Sequence, residues 1–288
     1  MEQVILNEHA HIGIINRGEP AIRFIRAVKE YNDLYGTKLK SVIFYMDIEQ
    51  DALFVKEADI ACPFVDVPGF DPAKGNPYLN KELMIKALQH TFCQGVWVGW
   101  GFIAEDYLFA EMIEHNNLVF LGPSSTSMAQ LGDKIVAKGI AQETNTPVLP
   151  WSQHAITNIE QAEHVARKIG FPLIIKAANA GGGRGIRVVK KLEELEPQYN
   201  SAVEETMRIT GDNAVFIERF VQRAKHIEIQ VLADRYGNVL TFGARDCSTQ
   251  RRNQKIIEET PPPNIDDKIV QRMEKTATQL IQFVNYES

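Results

Sequence analysis

The stretch Phe171-Pro-Leu-Ile-Ile-Lys-Ala-Ala-Asn-Ala-Gly-Gly-Gly-Arg-Gly-Ile-Arg-Val-Val189 limits what this chain can fold into more than any other. A short apolar run ends in Lys176, glycines follow at Gly181, Gly182, Gly183 and Gly185, and a second apolar run leads out from Ile186 to Val189. The pattern predicts strand, glycine loop, strand. With few side chains in the way, successive backbone N–H groups can converge on a polyanion, and Lys176 and Arg184 bring positive charge to the same place. Phosphate is the natural guest. A Walker loop does not fit, because there lysine directly follows the glycines and opens a helix, and no G-x-G-x-x-G precedes a helix as a Rossmann fingerprint requires. Lysine ahead of the glycines and a strand behind them point to a hairpin that closes over a nucleotide. An ordinary hairpin shares the local pattern, so the rest of the chain has to decide.

At 288 residues the chain can bury a sizeable core as one large domain or as two to three small ones. A formal charge of -6 and a pI near 5.7 argue against a sequence-independent nucleic-acid binder. Cys62, Cys93 and Cys247 are odd in number, far apart and without metal-ligand spacing, which predicts reduced thiols. No apolar run approaches the roughly 18 residues of a membrane span, and Met-Glu-Gln-Val does not open a signal peptide. A cytoplasmic protein with no membrane partner is expected.

His11 to Glu19 reads as a buried parallel strand entering a glycine turn, and Pro20 suits the first turn of a helix continued by Ile22, Ile25, Val28 and Lys29. A second strand, Lys40 to Tyr45, follows. Asp47 near its end could meet a ribose, but Gly13 and Gly18 alone make no dinucleotide fingerprint. Further helices are predicted over Glu82 to His90 and Glu105 to Glu114, and further strands within Gly95 to Phe102 and Leu118 to Gly122. Four alternations of strand and helix predict a three-layer α/β domain with a parallel, Rossmann-like sheet over 1–130.

Leu131-Gly-Asp-Lys134 begins a helix running to about Glu143, with Lys134 in its first turn. A boundary into a small lid is expected at Asn145 to Trp151, so that 131–221 forms a linker helix and lid. Thr157 and Glu160 have capping-box spacing for a helix to Ile169. After the glycine hairpin comes a polar helix, Leu192 to Met207, and then a strand, Val215 to Val221, with Glu218 at its exit. His226-Ile-Glu-Ile-Gln-Val-Leu232 alternates, which puts His226, Glu228 and Gln230 on one face and Ile227, Ile229 and Val231 on a core face. Asp234 to Asn238 is a hairpin turn, and Val239 to Ala244 returns. Arg245 to Lys255 packs four cations and three amides into eleven residues. Such a cluster of donors suits an anion that must be oriented, a γ-phosphate or bicarbonate, although a solvated basic run looks the same. A last amphipathic helix spans Asp266 to Val284.

Taken in order, Asn16-Arg-Gly-Glu19, Pro77-Tyr-Leu-Asn80, Gly99-Trp-Gly-Phe102, Leu121-Gly-Pro123, Gly132-Asp-Lys134, Ile174-Ile-Lys-Ala177 with its glycine loop, His226-Ile-Glu-Ile-Gln230 and Arg245-Asp-Cys-Ser-Thr-Gln-Arg-Arg252 resemble biotin carboxylase. That family is the ATP-grasp component of biotin-dependent carboxylases, and the resemblance covers essentially the whole chain. It implies an ATP-grasp fold over the later part, with 222–288 as the start of its C-terminal domain. It also implies a ligase activity, in which MgATP (or MnATP) phosphorylates bicarbonate and the carboxyl group passes to biotin on a carrier protein.

By matching position, Lys134 and Lys176 would hold ATP phosphates, and Gly182 and Gly183 would cover them. Glu218 would bind adenine or ribose, the Arg219, Phe220 and Val221 backbone would form the hinge contact, and His226, Gln250 and Asn253 would flank the nucleotide. Lys255 would face bicarbonate as the catalytic cation. A biotin carboxyl carrier protein or domain, a carboxyltransferase and a homodimer are the implied partners. Two positions depart from the family pattern. Asn253 stands where members usually carry histidine, and Trp97-Val-Gly-Trp-Gly-Phe102 stands for His-Pro-Gly-Tyr-Gly-Phe. The family's metal-binding glutamates follow the helix that ends here near Val284, and Ser288 stops short of them. A truncated copy is therefore expected, with no metal ligands of its own and no activity without residues beyond Ser288. Two other readings compete: a different bicarbonate-activating ATP-grasp ligase, such as carbamoyl phosphate synthetase, and a non-catalytic nucleotide-binding or assembly subunit.

Overall fold

Short β-rich apolar runs in the first part of the chain pair side by side as a five-stranded sheet. Its strands are β1 (His11–Ile14), β2 (Lys40–Tyr45), β3 (Ile60–Pro63), β4 (Gly95–Trp97) and β5 (Val119–Phe120), all parallel in the order β3-β2-β1-β4-β5. The computed structural model describes residues 6–178, 185–251 and 254–288. The helices α1 (Gly18–Tyr35), α2 (Leu53–Glu57), α3 (Lys81–His90) and α4 (Tyr107–His115) cover both faces. Ile14, Ile25, Ile43 and Phe54 fill one side, and Phe44, Phe64, Leu88 and Phe109 the other. This is the expected three-layer α/β arrangement. The strand order reverses between β1 and β4, and there Asn16, buried just past β1, donates to the carbonyls of Val98 (2.8 Å) and Trp100 (2.9 Å).

Helix starts follow their capping side chains. Asn80 accepts from Leu83 N–H, and Asp106 accepts from Phe109 N–H, which moves the start of α4 to Tyr107 from the expected Glu105. One helix, α5 (Ser125–Gly132), has no counterpart in the sequence pattern; its run of small and polar residues carries little periodic signal.

The chain divides into two compact units, one up to Ala129 that also takes Glu287 and Ser288, and one from Gln130 to Tyr286. In the second, α6 (Lys134–Glu143) begins where expected, with Asp133 accepting from Ile135 and Val136 N–H and setting a negative charge at the positive helix end. A three-stranded antiparallel sheet follows, β6 (Leu173–Ala177), β7 (Arg187–Val189) and β8 (Val215–Arg219), in the order β7-β6-β8. Its apolar face packs under α7 (Ile159–Ile169) and α8 (Leu195–Thr210), around Leu173, Ile175, Val189, Ile217, Ala166 and Tyr199. The cap of α7 corrects the expected one: Asn158, not Thr157, accepts from Gln161 N–H, and Thr157 donates to the Gln161 side chain instead. Both residues are good caps, and Ala162, Ala166 and Ile169 facing the core set the register.

The strand pair expected over 226–244 is longer than its alternation implied. β9 (Ile227–Ala233), β10 (Val239–Arg251) and β11 (Gln254–Glu259) form an antiparallel sheet in the order β11-β10-β9, and α9 (Asp267–Phe283) packs on it. The described residues of the basic run are therefore the far half of β10 and the start of β11. Ile227, Ile229 and Val231 are only half-buried, not the core face expected, and Leu240, Phe242, Ile256 and Ile257 are exposed.

Candidate nucleotide site

The glycine stretch is a hairpin, as its flanking runs require: Leu173 pairs with Val189, Ile174 with Val188 and Ile175 with Arg187. Gly182 and Gly183 lie outside the described residues, as does Asn253. The hairpin's descending limb starts at Gly185, whose φ of +67° suits glycine, and a Cβ there would come within 3.0 Å of Ala177 Cβ and 3.1 Å of Thr206 Oγ1. Arg187 beside it pairs with Glu205 at 2.7 Å.

Alternation along β6 turns Leu173 and Ile175 into the core and Lys176 away from it. The start of α6 lies against the end of the same strand, where Lys134 Nζ donates to the carbonyl of Ala178 at 3.4 Å. Both expected phosphate lysines therefore stand at the mouth of the hairpin. Lys176 is ion-paired with Glu218 Oε1 on β8, and Lys138, one turn after Lys134, reaches Glu218 Oε2 at 2.7 Å. The Glu218 side chain is 5% exposed. Burial pushes its carboxyl up, but the hydrogen bonds and charges of Lys138 and Lys176 outweigh that and hold it below the ordinary carboxylate range. Lys138 also lies 5.5 Å from the centroid of the Trp151 ring, whose N–H donates to Gln142. No motif singles out Lys138; the available signal was its i+4 spacing from Lys134.

After β8 the chain is held by its backbone. Arg219 N–H donates to the Pro150 carbonyl (2.9 Å) and Phe220 N–H to Pro172 (3.1 Å), while the Arg219 guanidinium donates to the carbonyls of Phe171 and Ile169. Val221 is exposed. The expected hinge segment is thus fixed in place, with Arg219 anchoring the turn between α7 and β6.

The remaining expected residues gather on the second antiparallel sheet. Gln250 Nε2 donates to His226 Nδ1 and to the Cys247 carbonyl, both at 2.8 Å. Lys255 donates to Glu228 Oε2, and Arg245 bridges Glu228 and Glu258. Burial pushes the Glu228 carboxyl up, and its bonds from Lys255 and Arg245 bring it below the ordinary value. Glu228, read from sequence only as part of a polar strand face, and Arg245, read as one cation of the anion-orienting cluster, are what position Lys255.

Among the described residues, Glu228, Cys247 and Glu258 bring ligand atoms within 4.8 Å of one another. Mg2+ demands oxygen donors in near-octahedral array. One donor here is a thiol, and both carboxylates already carry Arg245, with Lys255 also on Glu228. The group does not fit that ion. The lysines, imidazole and amides do fit a polyphosphate, which needs donors and positive charge.

A profile described as "Biotin carboxylase, N-terminal domain" matches residues 8–128, and one described as "Carbamoyl-phosphate synthase L chain, ATP binding domain" matches residues 133–288. Biotin carboxylase 1 of Bacillus subtilis is 39% identical over 273 residues, covering 95% of this chain and 58% of that protein. A biotin carboxylase from Campylobacter jejuni, solved as a β-γ-ATP complex, superposes with a TM-score of 0.89 at 38% identity, over 97% of this chain and 60% of that one. The biotin carboxylase domain dimer of Hydrogenobacter thermophilus 2-oxoglutarate carboxylase, solved with MgADP, ADP and bicarbonate, superposes with a TM-score of 0.88 at 34% identity, over 98% of this chain and 60% of that one. The chain therefore spans about three-fifths of the length of these relatives. With both halves matched by the same relatives, in the fold the sheets describe, the chain belongs to the biotin carboxylase family.

Proposed function

We propose that these 288 residues bind ATP as the nucleotide-binding part of a biotin carboxylase. Lys134 and Lys176 take the phosphates, with Gly182 and Gly183 over them. Glu218 and the Arg219, Phe220 and Val221 backbone take the adenosine, His226, Gln250 and Asn253 flank it, and Lys255 faces bicarbonate. The observation that carries this reading is the convergence of two lysines from different elements, α6 and β6, on the mouth of one glycine hairpin. Phosphoryl transfer asks little covalent help of a protein and much positioning of charge, and this part of the chain supplies cations and amides.

In the complete reaction a bicarbonate oxygen attacks the γ-phosphorus and ADP leaves, and the carboxyl group of the resulting carboxyphosphate then passes to biotin on a carrier protein, with release of inorganic phosphate, for a carboxyltransferase to use. A homodimer in the cytoplasm is the proposed setting. Mg2+ or Mn2+ would enter with the nucleotide. Its carboxylate ligands are proposed to come from the two-fifths of the relatives' length that this chain does not span. Titration calorimetry of the chain with ATP tests the binding: saturable heat is expected, and its absence overturns the reading. Bicarbonate-dependent ATP hydrolysis, measured after adding the remaining two-fifths of a relative's length in trans, tests the reaction. ATP binding without turnover in that mixture would instead favour a non-catalytic nucleotide-binding subunit, the reading that Asn253 in place of a titratable histidine supports.

A further inference from the structure

Lys176 does not stand open toward the hairpin mouth. Its ammonium is committed to Glu218, a carboxylate that is almost fully buried. A phosphate can take Lys176 only if Glu218 tolerates the loss, and a buried carboxylate left without a partner is strongly destabilising. The second oxygen of Glu218 is held by Lys138 at 2.7 Å, from a different element and at 20% side-chain exposure. Lys138 is itself seated over the Trp151 ring, and Trp151 bridges to Glu218 across the backbone. Two cations thus share one anion, which leaves one positive charge in excess.

We propose that Lys138 is a positioning residue for nucleotide binding: it keeps Glu218 paired and so releases Lys176 to the phosphates of ATP. This rests on the ATP reading above. Lys138 need not touch the nucleotide; it makes the exchange of Lys176 from carboxylate to phosphate nearly neutral for the site. Without it, Lys176 is the sole ion-pair partner of Glu218 among the described residues, and phosphate must compete against a buried ion pair.

The test compares ATP and adenosine binding by calorimetry in the full 288-residue chain. Adenosine lacks the phosphates and does not draw on Lys176. Lys138→Met and Lys138→Gln should each weaken ATP about ten-fold or more, the scale of one charged hydrogen bond, and leave adenosine unchanged. Lys138→Arg, which keeps the charge, should hold the wild-type ratio of ATP to adenosine affinity. Lys138→Met combined with Glu218→Gln should recover that ratio, because a neutral amide no longer holds Lys176. If the wild type binds ATP and Lys138→Met and Lys138→Gln bind it equally well, the role of Lys138 is wrong while the ATP reading stands. If the double variant stays as weak as Lys138→Met, Lys138 contacts phosphate directly and the proposal is overturned. If the wild type binds no ATP, both fall together. Circular dichroism of each variant identifies a folding failure, and Lys138→Gln or Lys138→Arg then carries the comparison.

Discussion

Glu218 is the residue on which the candidate site turns, because it is buried and charged and its two partners come from two elements. Replacing Lys176 by alanine should weaken ATP binding by about 1.5–3 kcal/mol, read by calorimetry. The Glu218 carboxyl is held below its ordinary value of 4.5, so its ion pairs stabilise the fold above that pH and are lost as pH falls through the lower folded value. Melting temperatures taken from about pH 5 down to pH 3 should therefore fall more steeply in the wild type than in Glu218→Gln. Equal slopes would show that the pairs contribute nothing. The placement of Lys134 in the first turn of α6 and of Lys176 near the end of β6 was legible in sequence because each sits in a motif tied to a local element. Lys138 was not, since its role depends on β8 lying beside α6, a contact between residues eighty apart in the chain.

Single positions also set where elements begin and turn. Asn158→Ala should cost about 1 kcal/mol of stability in urea unfolding, and Thr157→Ala clearly less, because only Asn158 accepts from the backbone of α7. The reverse order would restore the cap expected from sequence. Gly185→Ala meets both a left-handed backbone and the Ala177 and Thr206 side chains. It should destabilise by about 1–2 kcal/mol, measured the same way. Four of the five parallel strands could be read from sequence because each is a short apolar run between helix-period segments; β3, the short run Ile60–Pro63, was not among them. The length of β10 could not: its far half is polar, and its strand state comes from pairing with β11, which no local propensity encodes.

At the scale of the molecule, each unit carries its own apolar core. Phe109→Ala removes a fully buried ring from the first and should cost about 3–5 kcal/mol there. Peptide-resolved hydrogen exchange should then show faster opening in residues up to Ala129 and unchanged protection in the β6–β8 sheet. Uniform acceleration would mean the two unfold as one. The third sheet contrasts with both cores, since large side chains on β10 and β11 face solvent and the alternation of β9 does not produce the core face it predicts. The three cysteines, finally, are divided between the units, Cys62 and Cys93 in the first and Cys247 in the second, and all are buried. Burial also pushes the Cys93 thiol up to about 12 and the Cys62 thiol above its usual value. Since alkylating reagents attack the thiolate, the intact protein should resist them, and each labelled sulfur would time-stamp the opening of the unit that shelters it.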